Sequence, residues 1–281
     1  MKKMKMLYSV LLLIFSLSTQ AQESFHVEVT GSGQPVLLFP GFTSTAEVFD
    51  EITQELSKNY EVHAFTFAGF GEVPPISFPW LSKIKEDIQS YVSKKKWESP
   101  IIPGHSMGGT LGLWLASEDT TYAKLIIIDA LPAMGALMIP DYDPDNISYD
   151  TPYNKQILEM DETAFHAMAV QMTSGMAVNT EKHQQLIEWM LGSDRETYVY
   201  GFTDLLKLDL RPLLQDIQTP VSIFVATEPY GQQTVMTTYK EQYADLKDHK
   251  LIYAEGAGHF IMFDEPQWLL GQIKSELSVN E

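Results

Sequence analysis

The chain holds 281 residues, 44% hydrophobic and 20% charged, which is enough apolar side chain for a sizeable core and excludes disorder, collagen and coiled coil. Acidic residues number 37 against 19 basic ones, for a formal charge of -18, so the basic field that would draw nucleic acid or an anionic membrane is missing. With no cysteine there is no disulfide, thiolate metal site or cysteine nucleophile, and any chemistry must run on Ser, His, Asp and Glu.

The N-terminus reads Met1-Lys2-Lys3-Met4-Lys5-Met6, then an almost wholly apolar run from Leu7 to Leu17, then Ser18-Thr19-Gln20-Ala21. A basic stretch, a short apolar run and a small-residue end are the marks of a secretory signal peptide over residues 1–21, with cleavage expected after Ala21. The apolar run is about half of the roughly 20 residues a membrane span needs, so no stable anchor is expected after cleavage. The expected location is the periplasm or the exterior.

Val36 to Phe39 and Glu61 to Thr66 read as short buried strands, separated by a helix over 46–56 in which Val48, Ile52 and Leu56 recur at helical spacing. The next predicted helix, over 80–92, places Leu81, Ile84, Ile88 and Val92 on one face. Strand Ile101-Ile102, a small-residue helix over 110–116 and strand Leu125 to Ile128 follow. Beyond residue 212 the alternation resumes: strand 221–226, helix 237–244, strand 251–253 and a closing helix over 266–277. Strands alternating with helices predict an α/β fold, a doubly wound and mostly parallel sheet covered on both faces.

Residues 132–212 break the pattern, with no convincing strand and seven of the thirteen methionines, among them Met172 and Met176. The segment reads as a helical cap insertion over the core formed by 22–131 and 213–281. Its flexible thioethers suit an apolar, shape-tolerant lid, which makes Met172 and Met176 candidate substrate-binding residues. At its start, Asp141 to Asn146 imitates the opening of a calcium loop. The sixth position is Asn146 where such a loop needs Gly, and the twelfth is Pro152 where it needs Glu, so no metal is expected. Nor does any motif call for a nucleotide cofactor.

The motif that carries chemistry is Gly104-His105-Ser106-Met107-Gly108, a G-x-S-x-G between a predicted strand and a predicted helix. Its glycines permit a sharp, crowded turn that presents the Ser106 hydroxyl at the carboxyl edge of the sheet, beside the positive end of a helix. A serine hydroxyl is no nucleophile at neutral pH without a base in hydrogen-bond reach. Of seven histidines, His259 is the best placed, in Gly256-Ala257-Gly258-His259-Phe260 directly after the last strand.

These features resemble the α/β-hydrolase family over nearly the whole mature length. Phe39-Pro40-Gly41-Phe42 stands in the place of the family's strand-His-Gly-x turn, and Ala68-Gly69-Phe70-Gly71 in that of its x-G-x-G turn. His259-Phe260 followed by Glu265-Pro266 is similar to its His-Phe and Glu-Pro. Two positions depart from the pattern, Pro40 for a common His and Thr66 for a frequent Asp. The resemblance implies an oxyanion hole built from the backbone N–H groups of Phe42 and Met107, which needs no particular side chain.

It also implies an acid behind the histidine, at one of two places. In the commoner arrangement, after strand 221–226, Ala226 replaces the expected glycine and Pro229 the acid, with Glu228 one position early. In the other, Asp129 ends the apolar strand 125–128 and should lie at the sheet edge with Ser106 and His259. Asp129 is favoured, with Glu228 the alternative. The reading is a secreted serine hydrolase acting on a small or medium, hydrophobic carboxylic ester. The same residues would also serve a lactonase, thioesterase or perhydrolase, and a non-catalytic ligand-binding homologue is the alternative of a different kind.

Overall fold

The computed structural model describes residues 24–278, so the expected signal segment lies outside the described residues. Seven strands form one sheet: β1 (Phe25–Gly31), β2 (Gln34–Leu38), β3 (Tyr60–Phe67), β4 (Ile101–His105), β5 (Lys124–Ile128), β6 (Val221–Ala226) and β7 (His249–Ala254). Their order is β1-β3-β2-β4-β5-β6-β7, parallel throughout except that β1 runs antiparallel to β3. The expected α/β sheet is therefore present, with one addition. Strand β1 has no counterpart among the predicted elements, because an edge strand with an exposed outer side carries no continuous apolar run.

Period-two geometry sorts the strand side chains between two cores. Leu37, Phe39, Phe65 and Phe67 point to one face, where Ile84 and Ile88 of α2 (Trp80–Lys95 after α1, Asp50–Leu56) and Leu111 and Leu115 of α3 (Met107–Glu118) cover them. Val36, Leu38, Val62 and Ala64 point to the other, packed with Ile52 and Leu56 of α1. The buried strands thus need apolar residues at every position, which is why they read as unbroken hydrophobic runs.

Between β5 and β6 the chain builds α4 (Met134–Met138), α5 (Pro152–Leu158), α6 (Glu162–Thr173), α7 (His183–Leu191) and α8 (Phe202–Lys207), with no strand among the described residues. Ile157, Phe165, Ile187, Met190 and Tyr198 form a third, smaller core there, and Phe42 from the loop after β2 packs against it. Helices α9 (Gln232–Gln242), α10 (Ile261–Asp264) and α11 (Pro266–Ser278) complete the fold. Helix α9 begins five residues before its predicted start, since its first turn, Gln232-Gln233-Thr234, shows solvent a polar face with no apolar period. His249 opens β7, two residues before the predicted start of that strand.

The strand order reverses between β2 and β4, so the chain leaves their carboxyl ends in opposite directions and opens a crevice there. The loop after β2 carries Phe42 to that crevice, and the turn after β4 carries Ser106.

Candidate active site

Ser106 sits between β4 and α3 with φ 52° and ψ -124°, a conformation L residues rarely adopt. The glycines around it explain how the turn tolerates this. A Cβ on Gly108 would stand 2.2 Å from the Phe39 carbonyl oxygen, and one on Gly104 would stand 2.5 Å from the Gly108 carbonyl oxygen. Only glycine lets the helix start so close to the strands. The turn is also fastened, with the Ser106 N–H donating 2.9 Å to the Ile128 carbonyl at the end of β5. Met107, the first residue of α3, has an N–H with no partner inside the helix. Gly41 lies against the same turn: a Cβ there would be 3.2 Å from that of Ser106, so the Gly41-Phe42 backbone passes beside the serine.

The His259 loop follows β7 at the same sheet edge. His259 Nε2 is 2.9 Å from Ser106 Oγ, and its Nδ1 is 2.6 Å from Asp129 Oδ2. A carboxylate accepts only, so Nδ1 carries the proton and Nε2 presents its lone pair to the serine hydroxyl. Asp129, with φ 46°, turns out of the end of β5 and accepts at its other oxygen from the Ala226 N–H at 2.9 Å and the Tyr239 hydroxyl at 2.8 Å. Ser106 is only 5% exposed, and the His259 and Asp129 side chains are 29% and 13% exposed, so the chain of bonds is shielded yet open at the histidine.

Glu228 lies outside this chain of bonds. It is exposed, and its backbone N–H donates to the Ala257 carbonyl at 2.9 Å. Of the two candidate methionines, Met172 is 37% exposed and its Sδ accepts from the Tyr198 hydroxyl at 3.3 Å, while the ring of Tyr198 lies 5.8 Å from that of Phe42. Met176 meets the histidine loop through its backbone, its carbonyl accepting from the Phe260 N–H at 3.0 Å. Asp143 caps a short turn instead, its oxygens taken by the Asp145 N–H and the Asn146 amide.

Three residues absent from the sequence reading of the site support it. His105 Nε2 donates to the His259 carbonyl at 2.9 Å, and Tyr239 reaches Asp129 from α9. Asp264 accepts from Gly258 N at 2.7 Å on one side, and from Val178 N at 3.0 Å and Asn179 N at 2.7 Å on the other. His105 fills an unspecified position of the G-x-S-x-G motif, and no local motif marks Tyr239 or Asp264. The one available signal was the four-residue spacing of Tyr239 and Tyr243, which puts two large aromatics on one helical face.

Residues 36–272 match the alpha/beta hydrolase family, and the chain belongs to that family. Among characterised relatives, the N-formylmaleamate deformylase of Pseudomonas putida is 20% identical over 256 residues, covering 89% of this chain and 91% of that one. The pimeloyl-[acyl-carrier protein] methyl ester esterase of Vibrio cholerae is 22% identical over 196 residues, covering 69% and 75%. The solved enol-lactonase of Burkholderia xenovorans superposes with a TM-score of 0.76 over 90% of this chain and 96% of its own, at 15% identity, which establishes a shared fold.

Proposed function

We propose that this protein is a serine hydrolase that cleaves a small or medium, hydrophobic carboxylic ester, with Ser106, His259 and Asp129 as its catalytic triad. The observation that carries the reading is the unbroken series of hydrogen bonds from Asp129 through His259 to Ser106. A methyl ester esterase among the relatives adds support for ester cleavage.

Ser106 Oγ attacks the ester carbonyl while His259 Nε2 takes its proton, and Asp129 stabilises the imidazolium that forms. The oxygen that becomes negative is held by the N–H groups of Met107 and Phe42, the first of them at the positive end of α3. The imidazolium then protonates the departing alkoxide, leaving an acyl-enzyme. A water, deprotonated by His259, releases the acid and restores the serine. The helices over 132–212 act as a lid, with Met172 and Met176 meeting the acyl chain. Residues 1–21 direct export.

The test is fluorophosphonate labelling of the purified protein together with hydrolysis of an ester panel graded in acyl length. An adduct on Ser106 and turnover of short or medium esters are expected. Ligand binding without an adduct would instead mark a non-catalytic member of the family.

A further inference from the structure

We infer that Tyr239 is a positioning residue for the triad acid, its hydroxyl fixing the Asp129 carboxylate so that one oxygen is reserved for His259. This deepens the hydrolase reading and rests on it. Asp129 leaves β5 through a left-handed turn, and a carboxylate there is free to rotate unless something holds it. Two donors from different elements hold Oδ1, the Ala226 N–H from β6 and the Tyr239 hydroxyl from α9, at 2.9 and 2.8 Å. Oδ2 is thereby aimed at His259 Nδ1, 2.6 Å away.

The grip extends one residue further. Tyr243, one helical turn along, donates 2.7 Å to the Ala130 carbonyl, and the two rings stack with centroids 6.0 Å apart. Helix α9 therefore clamps two successive residues of the turn that carries the acid. Burial, and next the Asp129 charge, hold both phenols far above the usual tyrosine range, so each remains a donor at any working pH. Packing alone would be met by phenylalanine at position 239; a hydroxyl on the outer oxygen of a histidine-bound carboxylate serves the carboxylate.

A phenol bonded to Oδ1 draws charge away from Oδ2. Removing it concentrates charge on the oxygen beside the imidazole and strengthens its stabilisation of the imidazolium. The other groups facing His259 are Ser106, the His105 ring of β4 at 4.7 Å, and Asp264 of α10 through Gly258 N–H. Tyr243 joins Tyr239 beside Asp129.

Tyr239→Phe is expected to lower kcat for a chromogenic ester about tenfold with KM nearly unchanged, and to move the acid limb of kcat/KM up by roughly half a pH unit. In an Asp129→Asn background Tyr239→Phe should cost nothing more. If Tyr239→Phe does not fold, 3-fluorotyrosine inserted at position 239 gives the opposite test, since a stronger donor should move the limb to lower pH. An unmoved limb, or an undiminished Tyr239→Phe loss in the Asp129→Asn background, overturns the inference. Failure of fluorophosphonate to label wild-type Ser106 would overturn the hydrolase reading itself, whereas labelling with an unmoved limb would overturn only the role of Tyr239.

Discussion

The ring of His105 donates from Nε2 to the backbone carbonyl of His259 across 2.9 Å, so the residue before Ser106 holds the loop that carries His259. That bond requires a proton on Nε2 and is compatible with a neutral ring. Burial, and then the neighbouring His259, push the His105 pKa well below the ordinary histidine range. His63 is likewise buried, between Tyr91 and Glu61, and burial outweighs the Glu61 carboxylate in lowering its pKa.

Both rings stay neutral in the fold at a pH where an unfolded histidine, with a pKa of about 6.5, takes up a proton. The unfolded state therefore binds more protons as the pH falls through that value, and stability falls with it, by at most about 1.4 kcal/mol per pH unit for each histidine. Thermal unfolding is expected to show a lower Tm at pH 5 than at pH 7, and His105→Gln, which keeps a donor, should narrow the difference. An equal difference in the variant would show that other groups set the acid sensitivity.

Ser106→Ala should fold and lose ester turnover by a factor on the order of 10^3 or more, because the nucleophile and base act as one unit. His259→Ala should match it, and the double variant should add little. Retention of a tenth of wild-type turnover by either single variant would refute the assignment.

Asp129→Asn is nearly isosteric, and its amide oxygen can keep the Ala226 and Tyr239 donors. Its NH2 then faces His259 Nδ1, forces the proton onto Nε2, and leaves Ser106 without a base. A loss on the order of 10^4 in kcat is expected, with Tm close to wild type. Glu228→Gln, at an exposed side chain, should cost less than twofold; the reverse ranking would move the acid to β6.

Gly108→Ala places a Cβ 2.2 Å from the Phe39 carbonyl oxygen, a backbone atom that cannot step aside. A destabilisation of about 3 kcal/mol or more is expected, read as loss of soluble protein or a steep fall in Tm. Wild-type stability would show that the turn is looser than its contacts imply.

Met172→Gln is expected to change the preference between short and long acyl chains while fluorophosphonate still labels Ser106. Its sulfur holds the Tyr198 hydroxyl, and Tyr198 packs on Phe42, so a polar replacement disturbs the apolar wall without touching the triad. An unchanged profile across the ester panel would return Met172 to an ordinary packing role.

Much of this was legible in the sequence because buried parallel strands demand apolar runs and the elbow demands its glycines. Asp129 could be placed at the sheet edge because it directly follows Leu125-Ile126-Ile127-Ile128. Strand β1 was not legible, since its outer side faces solvent. Tyr239 meets Asp129 across 110 residues of sequence and Asp264 meets Val178 across 86, and no local period encodes a bond between distant elements.

The carboxylate of Asp264 joins the loop of His259 to residues 178 and 179, and the Met176 carbonyl adds a bond to Phe260. The stretch between α6 and α7 is thus stitched to the His259 loop by its backbone. Transplanting the 132–212 segment from another member of the family would strip Asp264 of two donors and Phe260 of its acceptor unless the incoming backbone retraced residues 176–179. The boundaries of an exchangeable module in this protein are set by that seam: a chimera has to spare 176–179, or carry the loop 256–264 along with its new helices.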